Sequence, residues 1–136
     1  MVSIGDTYKY RTIFTQEDVE MFADLTGDRN PIHLDREYAA RTHFKKQIVQ
    51  SALISCAISK IFGLKWPAEL DSHFISNEVM YIKPVYVEEP YEFYCNCTNI
   101  DSKRHIGTIE SVLYDMHGNV IVNVKSRIES KSAFKK

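Results

Sequence analysis

The chain is poor in almost every feature that would set it apart from ordinary globular proteins. It has three cysteines in 136 residues, Cys56, Cys95 and Cys97. An odd count without framework spacing argues against a disulfide scaffold and fits a reducing compartment, which points to the cytoplasm. Cys95 and Cys97 alternate along a predicted strand and no second ligand pair follows, so packing is expected there and no metal. Neither sign of charge is in excess: the net charge is −1, which gives no electrostatic footing for a nucleic acid or a membrane surface. No apolar run reaches the roughly 18 residues needed to span a bilayer. The N-terminus has an acid at Asp6 and neither a basic lead-in nor an apolar segment, so it does not read as a signal peptide. Repeats and low-complexity segments are also missing. What is present, 44% hydrophobic and 26% charged residues, suits one globular domain over residues 1–136.

In chain order, Thr7 to Phe14 is rich in Thr, Tyr, Ile and Phe and predicts a first strand. Thr15 is placed to cap a helix, and Asp18 three residues on completes an approximate capping box. Val19, Phe22, Ala23 and Leu25 give that helix one apolar face, and Gly27 stops it. A short helical piece follows from about Arg36 to Arg41, capped by Asp35.

Ile48 to Leu64 reads as a longer helix, apolar round most of its circumference and therefore expected to be buried. Ser51, Ser55 and Ser59 are four apart and form a small polar stripe, expected to bond back to carbonyls of the preceding turn. Ser72 to Lys83, Tyr91 to Asp101, His105 to Tyr114 and Val120 to Glu129 alternate as strands of an antiparallel meander. The basic tail Lys131 to Lys136 is expected to fray. These elements predict an α+β fold, an antiparallel sheet curled around one long helix. One helix covers only one face of such a sheet, and sheet edges need partners, so a homodimer is expected.

Chemistry concentrates in Asp28-Arg29-Asn30-Pro31-Ile32-His33-Leu34-Asp35. Asp28 and His33 would be roughly 16 Å apart in an extended chain. Pro31 fixes its own φ and pushes Asn30 out of the helical region, so the segment can fold back without continuing as a helix. That would bring a carboxylate and an imidazole onto one small molecule, with water the obvious candidate. Asp, Asn and Pro are also ordinary loop formers, and a purely structural turn stays open. The start of the long helix, near Gln50 to Leu53, offers free N–H groups and a positive dipole end. Such donors stabilise an oxyanion, and losing one typically costs about 3 kcal/mol of barrier.

Phe22-Ala23 through Asp35, with Gly27-Asp28-x-Asn30-Pro31-Ile32-His33-x-Asp35, resembles the hydratase signature of the MaoC-like family, which includes the (R)-specific enoyl-CoA hydratases. Tyr38-Ala39, Thr42, Phe44, Ile48-Val49, Leu53, Gly63 and Lys83-Pro84-Val85 continue the likeness over nearly the whole chain. The resemblance implies the hot-dog fold, usually dimeric. It also implies reversible syn addition of water across a trans-2-enoyl thioester of CoA or acyl carrier protein, giving an (R)-3-hydroxyacyl thioester. Under it, Asp28 and His33 activate the water. Asn30 supports their loop, Ser59 orients the catalytic residues or substrate, and the backbone N–H of Ser51 holds the thioester carbonyl. No metal or redox cofactor is implied. The family usually has His-Gly where this chain has Gln50-Ser51, a change that could crowd the thioester or restrict the backbone.

Lys45, Lys46, Lys83, Lys103 and Arg104 are candidates to meet the carrier's phosphates or acidic residues, though each is also an ordinary surface charge. His43, His73, His105 and His117 lack ligand spacing and read as structural or surface residues. Trp66 reads as closing the end of the pocket, and Tyr8, Tyr10, Tyr81 and Tyr86 read as strand residues. Two other functions compete with hydration. The Gln50-Ser51 change allows a module that binds an acyl thioester without turning it over. A hot-dog thioesterase is the other, but it usually carries a carboxylate on or near the central helix, and Ile48 to Leu64 contains none.

Overall fold

A computed structural model describes residues 1–67 and 69–135. Five strands, β1 (Thr7–Ile13), β2 (His73–Tyr81), β3 (Pro90–Asp101), β4 (Ile106–Asp115) and β5 (Val120–Glu129), form one sheet in the order β1-β3-β4-β5-β2. All pairings are antiparallel. Tyr10, Phe93, Leu113, Val122 and Tyr81 lie opposite one another in a single row across the five strands. Directly opposed residues share a face, and in this row Phe93, Leu113 and Val122 are fully buried. The alternation in β3 is sharp: Tyr91, Phe93, Cys95 and Cys97 are buried and the residues between them are not.

Among the described residues four α-helices and one π-helical turn lie between β1 and β2. Thr15 and Asp18 form a complete capping box at the start of α1 (Gln16–Thr26), and Gly27 ends it with φ 82°. At that angle a side chain would be strained. Asn30 caps α2 (Pro31–Leu34) by accepting from the Ile32 N–H, 3.1 Å. The segment after Asn30 is thus one helical turn, not the purely non-helical bend expected. Pro31 occupies its first position, where a missing N–H costs nothing, and Asn30 itself is held extended at ψ 127°. Asp35 caps α3 (Arg36–Ala40) through the Tyr38 N–H.

The long helix differs from expectation in extent and burial. α4 spans Ser51–Lys60 and passes into a π-helical turn, Ile61–Lys65. Ile48 and Val49 do not belong to it. Ile48 bridges Tyr86, and the Val49 N–H bonds the Val85 carbonyl at 2.7 Å, so long-range pairing holds these two apolar residues extended. Ile54, Ile58, Ile61 and Phe62 pack into the core with the inner row of the sheet, while Ser51, Ala52, Cys56, Ser59 and Lys60 are exposed. A single sheet face covers a single side of a helix, and the other side of α4 is open in the lone chain.

The tail is docked, not frayed. Ala133 and Phe134 are fully buried. The Val2 N–H bonds the Ala133 carbonyl and His105 Nδ1 bonds the Phe134 carbonyl. The Asp71 carboxylate accepts from the hydroxyls of Ser130 and Ser132. Phe134 packs against Gly107, where a Cβ would come within 2.2 Å of its ring. Lys136 lies outside the described residues.

Candidate active site

His33 is 9% exposed. Its Nδ1 is 2.7 Å from the backbone oxygen of Ile48. A carbonyl oxygen can only accept, so Nδ1 carries a proton, and in the neutral ring Nε2 is the nitrogen with the lone pair. The strap is reciprocal, because the Ile48 N–H bonds the Ile32 carbonyl at 3.2 Å and Gln47 Nε2 donates to the His33 carbonyl at 2.6 Å. The His33 turn is therefore fixed to the short extended segment that leads straight into α4.

Asp28 follows the Gly27 cap on the open side of this loop. Its N–H bonds the Thr26 hydroxyl, which itself donates to the Phe22 carbonyl. Arg29 beside it pairs with Asp24. Among the described residues the Asp28 carboxylate has no hydrogen-bond or ionic partner, and no hydrogen bond links it to His33. One member of the pair is buried and strapped, and the other is exposed and unengaged.

At the start of α4, the Gln50 carbonyl accepts from the N–H groups of Leu53 and Ile54. Among the described residues the amides of Ser51 and Ala52 have no acceptor, as the open first turn of a helix requires. Ser51 lines a cleft of about 240 Å³ with Phe44, Ile48, Ile54, Tyr81 and Lys83. The serine does not strain the backbone. Among the described residues the non-glycine residues with positive φ are Lys45, Glu88 and His105, and Ser51 opens the helix as its first helical residue. Gln50 is 1% exposed and donates through Nε2 to the Val19 carbonyl at 2.8 Å. It anchors the start of α4 to α1, and among the described residues its own Oε1 has no hydrogen-bond partner.

Ser59 does not sit beside Ser51 within one chain. Eight residues of helix separate it from Ser51 by about 12 Å, and it lines a different cleft with Phe62 and Phe74. The serine stripe does not bond back on itself as expected, since the Ser55 hydroxyl meets the Tyr81 hydroxyl. The sequence reading missed Gln47, took Gln50 only as a departure from the family's usual His-Gly and not as an anchor to α1, and took Tyr81 only as a strand residue. The one visible signal was a lone glutamine inside the apolar run Ile48 to Leu53. Of the candidate cations, Lys45 and Lys46 share a cleft of about 630 Å³ with Arg36. Lys46 there pairs with Glu89 and lies over the Tyr86 ring. Arg104 pairs with Asp101. Trp66 stacks on Tyr8, their ring centres 6.0 Å apart.

The family described as MaoC like domain matches residues 1–116. The chain belongs to this family. Among curated relatives of this MaoC-like chain, a mitochondrial 3-hydroxyacyl-[acyl-carrier-protein] dehydratase of Arabidopsis thaliana is 26% identical over 87 residues, 64% of this chain and 51% of the relative. The (R)-specific enoyl-CoA hydratase of Aeromonas caviae is 26% identical over 121 residues, 89% of this chain and 90% of the relative. The chain thus spans about half the length of the plant enzyme. Among solved structures, the (R)-hydratase from A. caviae involved in PHA biosynthesis matches with a TM-score of 0.88 at 23% identity, covering 94% of this chain and 96% of that one. The MaoC-like chain has the hot-dog fold, an α+β arrangement in which the sheet packs on α4. Among the described residues no helix is long and apolar enough to cross a membrane.

Proposed function

We propose that this chain hydrates trans-2-enoyl thioesters to (R)-3-hydroxyacyl thioesters, or runs the reverse dehydration, as a hydro-lyase on CoA or acyl-carrier-protein substrates. The observation that carries the reading is the His33–Ile48 strap. It leaves Nε2 as the free basic atom and joins that base to the segment that opens α4. In the proposed reaction Asp28 and His33 hold one water, and Nε2 takes a proton from it. The oxygen attacks the β-carbon, the double-bond electrons move to the thioester oxygen, and the open amides of α4 stabilise the enolate. The pair then returns a proton to the α-carbon on the same face. In the strapped tautomer the Ile48 carbonyl stabilises the charge that His33 gains.

Asn30 is proposed to hold the loop through its cap on α2, and the Ser51 amide to bind the thioester oxygen. Ser59 is proposed to meet substrate or its partners only in an assembly. A homodimer, built from single-domain subunits of residues 1–136, would cover the open side of α4 and the free edge of β2, which carries exposed Ile75, Met80 and Tyr81. The three free cysteines fit the cytoplasm.

Absorbance of the conjugated enoyl thioester tests the reading. Wild-type protein should consume crotonyl-CoA, longer enoyl-CoA chains or the matching acyl-carrier-protein thioesters. No absorbance change on any of them, with saturated acyl-CoA still bound, would select a binding module instead. Release of free CoA thiol would select a thioesterase.

A further inference from the structure

The Tyr81 hydroxyl lies 2.6 Å from the Ser55 Oγ and 2.7 Å from the Ser51 carbonyl oxygen. The directions of these bonds are forced. A carbonyl only accepts, so Tyr81 donates to Ser51 and must accept from Ser55. The relay therefore runs from Ser55 to Tyr81 to the Ser51 carbonyl. That carbonyl belongs to the peptide unit whose N–H is the Ala52 amide, one of the two open amides of α4. Electron density drawn onto the oxygen leaves the N–H a stronger donor, because hydrogen bonds through one peptide reinforce each other.

Burial does not account for this contact. Tyr81 is 41% exposed, and water could satisfy its hydroxyl. The contact also joins distant parts of the chain: Tyr81 ends the edge strand β2, yet it bonds the first and second turns of α4. The row shared with Phe93 and Leu113 puts its side chain on the inner face of the sheet, toward that helix. Tyr81 and Ser51 line the same cleft.

We propose that Tyr81 is a positioning residue of the hydration reaction. Through the Ser51 carbonyl it holds and polarises the Ala52 amide where the thioester oxygen binds, and Ser55 keeps its hydroxyl in register. This rests on the enoyl-thioester reading above and adds a second oxyanion donor with its own support.

The test compares wild type, Tyr81→Phe and Ser55→Ala. Tyr81→Phe keeps the ring and removes only the relay. It should lower kcat about tenfold with KM unchanged, the size expected for one lost hydrogen bond felt in the transition state. Ser55→Ala should lower kcat less and in the same direction. Thermal unfolding should stay at the wild-type midpoint in both. An infrared difference spectrum of bound butyryl-CoA, labelled with carbon-13 at the carbonyl, supplies a readout independent of turnover. Binding to wild type should shift the carbonyl stretch to lower frequency, and Tyr81→Phe should lose part of that shift. An unchanged kcat, a loss confined to KM or to the melting midpoint, or an unchanged carbonyl shift would overturn the proposal. If wild type hydrates nothing, the enoyl-thioester reading falls, and the infrared comparison still decides whether Tyr81 polarises a bound thioester.

Discussion

Nδ1 of His33 faces the carbonyl oxygen of Ile48 across 2.7 Å, and three residues later the chain enters α4. One hydrogen bond thus selects the tautomer of the imidazole and ties it to the helix end that would receive the substrate oxygen.

The two tasks of that imidazole are separable. His33→Asn can keep a donor near the Ile48 carbonyl but has no base at the Nε2 position. It should lose at least about 100-fold in kcat and melt close to wild type. His33→Ala should lose as much activity and also melt lower, because the strap is gone. Asp28→Asn should lose at least about 100-fold with no change in melting, since the carboxylate has no partner among the described residues. Steady-state kinetics beside thermal melts would check all three.

Ser51 has no positive φ to relieve. Ser51→Gly should therefore change kcat by less than about threefold and cost no more than about 1 kcal/mol of stability. A large gain in kcat would show that the serine side chain, and not the backbone, obstructs the thioester.

The docked tail should be worth as much as a core residue. Phe134→Ala is expected to cost about 3–5 kcal/mol in denaturant unfolding. Gly107→Ala should also destabilise, because its methyl would occupy the space of the Phe134 ring. In the double variant the two losses should not add, since the ring that clashes is no longer present.

Alkaline pH should weaken the fold. Burial pushes the Cys95 thiol from 9.0 up to about 11 and the Tyr91 phenol from 10.0 up to about 12. In both groups the folded value lies above the unfolded one, so the fold favours the protonated form. That stability is whole below about pH 9 and drains away as pH rises through the folded values. Urea midpoints should fall steadily between about pH 9 and 11, and Cys95→Ala should flatten the fall. A midpoint independent of pH over that range would contradict the buried placement of both groups.

Much of this protein was legible from the sequence because it depends on near neighbours in the chain. The Thr15–Asp18 capping box, the Gly27 stop, the cap at Asp35 and the alternation of Tyr91, Phe93, Cys95 and Cys97 each follow from local hydrogen bonding or a two-residue period. The grouping of Asp28 and His33 in one short segment was equally plain. The rest depends on contacts between distant residues. Apolar character could not tell that Ile48 and Val49 are extended, because Tyr86 and Val85 decide it. Nor could the basic composition of the tail announce that Phe134 would find the bare surface of Gly107. Tyr81 looked like any strand tyrosine until tertiary packing set its hydroxyl against Ser55 and Ser51. Only the folded sheet places those partners within reach, and no periodicity along the chain encodes which of them will meet.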